Sequence, residues 1–259
     1  LQNHVGDPDP AKSDLPADRP WRENTGRAQK FRDDWLDGKP SPEATGEVLA
    51  VLRAGKASDA CDKVLELINK GIGPQSIWDG LFNGGGELLM RQPGIVSLHA
   101  LTSTNALHFA YQASGNDDTR RMLLLQNAAF LPMFFQAMKG RGKVGDTRID
   151  QLEPAEGKVS VEEIFADVSR DKTAAARKVL AFLKETKNAQ PIIDAARNLV
   201  FLKGNDSHDY KFSSAVLEDY YHASPAWRDR FLAASMFHLN GAGERDNALV
   251  ARTRAALKG

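Results

Sequence analysis

The amino-acid sequence predicts an all-α protein, a multi-helix bundle of about ten helices. Apolar residues recur at helical spacing, as in Cys61, Val64 and Ile68, so that one face of a helix can pack inward. Ser41-Pro42-Glu43 combines an N-cap, a proline in the first turn and an acidic residue, which together mark a helix start. Strand-like alternation is absent and β-branched residues do not cluster, so no sheet is predicted.

Capping residues and apolar spacing place helices along most of the chain. In the first half we expect Arg22–Asp37, Pro42–Gly55, a helix capped by Ser58 and ending at Gly71, Pro74–Leu88, Val96–Gln112 and Asp118–Met138. In the second half we expect Val161–Val168, Thr173–Glu185, Ile192–Leu202, His208–His222, Pro225–Leu239 and Arg245–Leu257. The glycine run 84–86 weakens its helix by about 1 kcal/mol per glycine relative to alanine, so it predicts a kink or the close approach of another backbone.

The two halves of the chain resemble each other. At a shift of 115 positions, Lys63-Val64-Leu65 meets Lys178-Val179-Leu180, and at a shift of 109 positions His99 meets His208. Such self-similarity is typical of an internal duplication. We therefore predict one all-helical domain over 22–259, in which the repeats 42–138 and 161–257 form two halves related by a pseudo-twofold axis.

Residues 1–21 are predicted to form an extended polar arm. The segment carries four prolines and too few apolar residues to fold by itself. It would therefore lie on its own domain or on another subunit, which predicts a homo-oligomer or a larger protein complex. The chain begins at Leu1 instead of methionine, through removal of an export signal or trimming, so both an exported and a cytoplasmic protein are compatible with it.

Composition excludes several classes of protein. Equal numbers of acidic and basic residues give a formal net charge of zero, so no general attraction to nucleic acid or anionic lipid is expected. No apolar run approaches the 18 or so residues of a membrane span. The single cysteine, Cys61, excludes an internal disulfide and a cysteine-rich zinc site.

Histidines are the residues with the clearest chemical potential. His99 and His108 lie nine positions apart, on opposite sides of one helix, and His208 and His222 lie about 21 Å apart along another. Neither pair can share an ion, so a joint site needs histidines from different helices. The repeat favours His99 with His208 as metal ligands or catalytic acid–base residues. Further candidates for cofactor binding are His108, His222, His238, Tyr111 and Tyr220.

A liganding imidazole needs a hydrogen-bond acceptor that holds its orientation. The candidate acceptors are Asp79, Asp194, Asp209 and Asp219. The pattern Glu-x-x-His on two helices, typical of ferritin-like di-iron sites, is absent, as is the His-Glu-x-x-His of zinc proteases. Each histidine could also be a packing or surface residue.

Pro93-Gly94, His99-Ala100, Asn105 and His108 follow a tryptophan-bearing helix. This arrangement resembles an uncharacterised bacterial all-helical family and, more distantly, the questin-oxidase-like group, over roughly residues 74–130 and 200–240. The resemblance implies an oxidative or cofactor-dependent activity and transfers no catalytic residue.

Three functions are compatible with these residues. The leading hypothesis is a helical metal- or haem-binding protein, with oxidoreductase activity as one outcome. The alternative is a non-catalytic helical subunit of a larger complex that binds partners through its N-terminal arm. The third is a metal-independent enzyme with a polar pocket between helices.

Overall fold

The computed structural model of the protein describes residues 9, 11–16 and 18–258, and this part of the chain is all-helical. Its twelve α-helices are α1 Asp18–Ala28, α2 Pro42–Ala54, α3 Ala57–Asn69, α4 Pro74–Arg91, α5 Ile95–Ala113, α6 Asp117–Lys139, α7 Val161–Val168, α8 Lys172–Thr186, α9 Gln190–Lys203, α10 Ser207–His222, α11 Arg228–Ser235 and α12 Ala248–Ala256. Within the described residues, extended pairing is limited to one isolated bridge between Lys39 and Ile72.

The chain divides into two compact units. The first contains the residues up to Gly84 together with Ala106–Gly140, and the second contains Gly85–Asn105 together with the residues from Arg141 onward. Helices α4 and α5 each contribute residues to both units. The division does not follow the predicted repeats 42–138 and 161–257, and their pseudo-twofold relation stays a prediction.

In the first unit, α6 is the helix against which others pack. Helices α1, α2 and α3 all contact it, and α1 and α2 also contact α3. The core between them contains the buried apolar residues Val48, Val64, Ile68 and Leu125. Cys61 belongs to this core, where its thiol donates a 3.3 Å hydrogen bond to the Leu125 carbonyl. Burial raises the pKa of that thiol to about 12, so it stays protonated at neutral pH.

In the second unit, α8 packs against α7 and α11, and α10 packs against α9 and α11. The segment 140–158, predicted to be a loop, contains a short 3-10 helix over Ile149–Gln151. The Glu87 carboxylate accepts a 2.9 Å hydrogen bond from the Ile149 amide. Arg230 donates to the carbonyls of Ile149 and Leu152, at 3.0 and 2.8 Å. These bonds satisfy backbone groups that the surrounding helices bury.

Several helix boundaries differ from the sequence-based expectation, and the described residues form twelve α-helices where about ten are predicted. The predicted helix Arg22–Asp37 ends at Ala28 and is followed by a turn and a 3-10 helix over Trp35–Asp37. Phe31 and Trp35 keep the side-chain contact that their i, i+4 spacing predicts, with ring centroids 5.5 Å apart. Both are buried, so the tertiary core stabilises this contact without a helix.

Helix α1 begins at Asp18, so the last four residues of the predicted arm, 18–21, are helical. Pro20 is the third helical residue, a position in the first turn where a missing N–H costs no intrahelical bond. The Asp14 carboxylate lies 2.9 Å from the Arg19 guanidinium and 3.0 Å from that of Arg22, so this part of the arm lies against α1. The remaining arm positions, 1–8, 10 and 17, lie outside the described residues.

The glycine run does not interrupt α4, which is continuous from Pro74 to Arg91. A Cβ atom at Gly85 would lie 3.4 Å from Leu101 Cα, so the backbone of another helix approaches closely at this point. Of the two outcomes that the glycine run predicts, a kink or the close approach of another backbone, the structure shows the close approach. No helix in the described part of the chain is long and apolar enough to cross a membrane.

Candidate functional site

The second unit brings two of the predicted histidines into contact. His99 lies in the second turn of α5, and His208 is the second residue of α10. Their ring centroids are 5.6 Å apart and the ring planes meet at 81°. The His208 side chain is 41% exposed and His99 is half-buried, so an ion in solution can reach the pair.

The start of α10 is built around Asp206. Its Oδ1 atom accepts hydrogen bonds from the backbone N–H groups of His208 and Asp209, at 2.7 and 3.3 Å, as an N-cap does. The same Oδ1 lies 3.4 Å from Nδ1 of the His208 ring. The backbone hydrogen bond from His208 is the largest cause that lowers the pKa of Asp206, so this carboxylate is ionised at neutral pH. Asp206 thus offsets the positive end of the helix dipole beside His208.

The environment of His99 favours a neutral imidazole. Burial is the largest cause that lowers its pKa, followed by the positive charges of Lys211 and His208. A neutral imidazole has a free lone pair, which is the form that coordinates transition metals. The His99 ring can therefore offer a nitrogen lone pair to a metal ion.

The separation of the rings fits one shared ion. Bonds of about 2.0–2.1 Å from imidazole nitrogens to a tetrahedral zinc ion place the two ring centres about 5–6 Å apart. Ligation of one haem by both histidines would place the rings on opposite faces of a flat macrocycle, whereas these rings meet edge to face. Among the described residues, no group of three or more His, Cys, Asp or Glu side chains could hold a metal ion. The pair would therefore supply two ligands, with water completing the coordination.

His238 is a third imidazole in the second unit. Its Nε2 atom is buried without a hydrogen-bond partner among the described residues, and its ring meets that of Phe212 at 4.6 Å. Burial is the largest cause that lowers its pKa. Lys172 and His208 lower that pKa further, whereas Asp209 and Asp206 raise it. His238 therefore senses the charges around His208, and its ring contacts that of Phe212.

His222 and Tyr220 lie at the other end of α10, about 18–21 Å from His208 along the helix axis. Nε2 of His222 lies 4.0 Å from the Glu218 carboxylate. Tyr220 is buried, and the Arg228 guanidinium lies 5.4 Å from its ring centre. Burial raises the pKa of the Tyr220 hydroxyl. The structure does not bring these predicted cofactor-binding residues to the histidine pair.

His108 and Tyr111 belong to the first unit and form an aromatic cluster there. The His108 ring lies 4.8 Å from Trp78 and 4.9 Å from Phe82, edge to face in both cases. Tyr111 contacts Trp78 at 5.2 Å, and burial raises the pKa of its hydroxyl. This environment is that of a packing histidine.

The carboxylate beside His208 belongs to Asp206, which is not among the four predicted acceptors. The Asp209 carboxylate accepts a 2.8 Å hydrogen bond from the backbone N–H of Asn205, and the Asp194 carboxylate accepts one of 2.7 Å from the Gln190 side chain. Asp79, in the first unit, accepts from the Gln75 side chain at 3.0 Å. Asp206 directly before a helix start is a recognisable N-cap, and this signal could have identified it.

Asp219 is the fourth predicted acceptor and lies deep between α5 and α10. Its Oδ1 atom accepts a 2.9 Å hydrogen bond from the Asn105 side chain. Its Oδ2 atom is buried without a partner in the described part of the chain. Burial raises the pKa of this carboxyl to about 8, with a smaller contribution from Glu218. Burial therefore favours the neutral carboxylic acid form of Asp219.

None of the protein-family models, curated proteins or solved structures compared with the chain matches it. The resemblance to the questin-oxidase-like group therefore stays a prediction. Function is inferred from the residues of this chain alone.

Proposed function

We propose that the protein binds a divalent transition-metal ion between His99 and His208. The observation that supports this proposal is the 5.6 Å separation of two accessible imidazole rings from different helices. Imidazole is a preferred ligand of zinc, copper, nickel and iron. Two imidazoles and bound water leave open positions on the ion, as catalytic sites do and structural sites do not.

Asp206 would orient the liganding ring of His208. If Nδ1–H of that ring donates to the carboxylate 3.4 Å away, Nε2 is left as the coordinating atom. Lys211 acts in the opposite direction, because its ammonium repels a cation as it repels a proton on His99. Oxidoreductase activity would require a redox-active ion such as copper or iron, and it stays a prediction of the sequence.

The proposal is tested by titrating the full chain with Co²⁺ and Zn²⁺. We expect one ion per chain, with a Co²⁺ absorption spectrum typical of nitrogen ligation. His99→Ala and His208→Ala should each weaken binding at least about tenfold, because each removes one of two protein ligands. His222→Ala is the matched control, since His222 is a partly exposed histidine on the same helix, and it should bind as wild type does.

Asp206→Asn distinguishes the role of Asp206 in orienting the His208 ring from its role in capping the helix. Asparagine caps a helix about as well as aspartate, so thermal stability should change little. Metal affinity should fall by about tenfold, because the carboxylate that orients His208 is lost. Equal affinities of wild type, His99→Ala and His208→Ala would end the proposal.

The alternative function, partner binding through residues 1–21, stays a prediction. The described part of the arm is held against the protein's own helix α1 by Asp14, Arg19 and Arg22. Those ion pairs are exposed to solvent, so they stabilise this position only weakly. A partner surface could therefore displace the arm at small cost.

A further inference from the structure

Helices α9 and α10 form an antiparallel pair with a groove of about 430 Å³ between them. At the connected end, the rings of Phe201 and Tyr210 lie 6.3 Å apart. At the far end, the Tyr221 hydroxyl donates a 3.3 Å hydrogen bond to the Gln190 side chain. One antiparallel register accounts for both contacts, and that register places Arg197 opposite Ser214.

The groove has an aromatic end and an apolar floor. Val200 and Leu217 line it and are buried, so its floor is continuous with the core of the second unit. Phe201 is 68% exposed and Tyr210 is 39% exposed beside it. Two neighbouring exposed aromatic rings over an apolar floor form a surface that a planar apolar group can cover.

The middle of the groove carries a hydrogen-bonding pair of residues. Among the described residues, the Arg197 guanidinium has one ionic neighbour, the Asp194 carboxylate at 3.7 Å, so most of its N–H groups remain available. The Ser214 hydroxyl makes no hydrogen bond with any described residue. A guanidinium and a hydroxyl that face each other are a suitable site for one carboxylate group.

We propose that this groove binds a small aromatic monocarboxylic acid. The ring lies against Phe201 and Tyr210, and the carboxylate accepts hydrogen bonds from Arg197 and Ser214. Phe201 and Arg197 are one helical turn apart, so the ring and the carboxylate are separated by about 6 Å, the span of a two- or three-carbon linker. The volume lies within the range of small-molecule sites.

A negatively charged residue of the groove limits how many carboxylates the ligand can carry. Glu218 also lines the groove, one turn of α10 after Ser214. Its carboxylate would repel a second negative charge on the ligand. A monocarboxylate is therefore preferred over a dicarboxylate of the same length.

Calorimetric titration of the full chain with 3-phenylpropionate, 3-phenylpropan-1-ol and phenylsuccinate tests the proposal. We expect saturable binding of the monocarboxylate, and at least about tenfold weaker binding of the alcohol and the dicarboxylate, because a charge-assisted hydrogen bond is lost or a repulsion is added. Arg197→Gln should lower the affinity for the acid to that for the alcohol. Phe201→Ala should weaken both ligands by a similar factor.

The controls distinguish this groove from the histidine pair and from self-association. Both side chains are exposed, so circular dichroism should show unchanged helicity in Arg197→Gln and Phe201→Ala. Binding should persist in EDTA and in His99→Ala, since the groove does not involve the metal ligands. Lack of saturable binding, equal affinities for acid and alcohol, or an unchanged affinity in Arg197→Gln would overturn the proposal. A concentration-dependent dimer that Phe201→Ala abolishes, without ligand binding, would assign the groove to a second copy of the chain.

Discussion

Two groups of histidines in this protein have opposite environments. In the first unit, His108 is 6% exposed and is surrounded by the rings of Trp78, Phe82 and Tyr111. In the second unit, the pair formed by His99 and His208 is partly open to solvent and borders an N-capping carboxylate. The comparison teaches that accessibility and polar neighbours, not residue type, distinguish a histidine that packs from one that can bind a ligand.

The largest expected effect tests the packing role of the first group. Trp78→Ala should lower the free energy of unfolding by about 3–5 kcal/mol, because it removes a fully buried aromatic side chain and leaves a cavity. Urea denaturation of the purified variant measures this loss. His208→Ala should stay within about 0.5 kcal/mol of wild type, as is usual for an accessible position. Equal losses in the two variants would remove the distinction between the two environments.

Asp219 provides a pH-dependent test in the second unit. Its pKa in the folded protein is raised to about 8, whereas that of an unfolded aspartate is about 3.9, so the folded state holds a proton that the unfolded state releases. The resulting stability is complete below about pH 4 and is lost as pH rises towards 8. Asp219→Asn cannot ionise, so its stability relative to wild type should increase between pH 5 and pH 9.

Chemical denaturation of wild type and Asp219→Asn at pH 5, 7 and 9 measures this trend. From pH 5 to pH 9, we expect the free energy of unfolding of Asp219→Asn to increase relative to that of wild type, on the order of 1 kcal/mol or more. The sign of this change tests the interpretation. A constant difference between the two proteins would show that the carboxyl is already ionised when buried. The Asn105 amide, which donates to Oδ1 of Asp219, can make the same bond to asparagine.

The substitution Gly80→Ala tests how closely the first unit is packed near its aromatic cluster, and its expected effect is smaller. A Cβ atom at Gly80 would lie 2.6 Å from Cγ1 and 2.7 Å from Cβ of Val48, a stiff side chain that cannot turn aside. Gly80→Ala should therefore destabilise the protein by about 1–3 kcal/mol despite the better helix propensity of alanine. Thermal denaturation detects this change.

Gly46→Ala is the matched control for Gly80→Ala, and its expected effect on stability is the smallest. Gly46 lies inside α2, and nothing lies within 4 Å of its Cβ position. Alanine should therefore stabilise the protein by about 0.5–1 kcal/mol through helix propensity alone. Destabilisation by both substitutions would contradict the assignment of Gly80 to a close helix contact.

The sequence by itself determined the helical class and several helix starts. Ser41 caps the helix that follows, as predicted, and Ser160 and Asp171 cap α7 and α8 in the same way, because a cap depends on residues only two or three positions away. The same locality explains why α7 has the predicted bounds, Val161–Val168. The repeat also predicts His99 beside His208, and the rings are in contact, although their role and the repeat itself stay predictions.

Only the tertiary structure decided which polar groups meet. The contact of Asn105 with Asp219 joins positions 114 residues apart. Arg197 and Ser214 line one groove between α9 and α10, and neither residue carries a distinctive sequence pattern. The helix predicted over Arg22–Asp37 is shorter because burial of Phe31 and Trp35 outweighs local helix propensity. Local signals specify some of the helix starts, whereas packing across the chain specifies which helix faces meet.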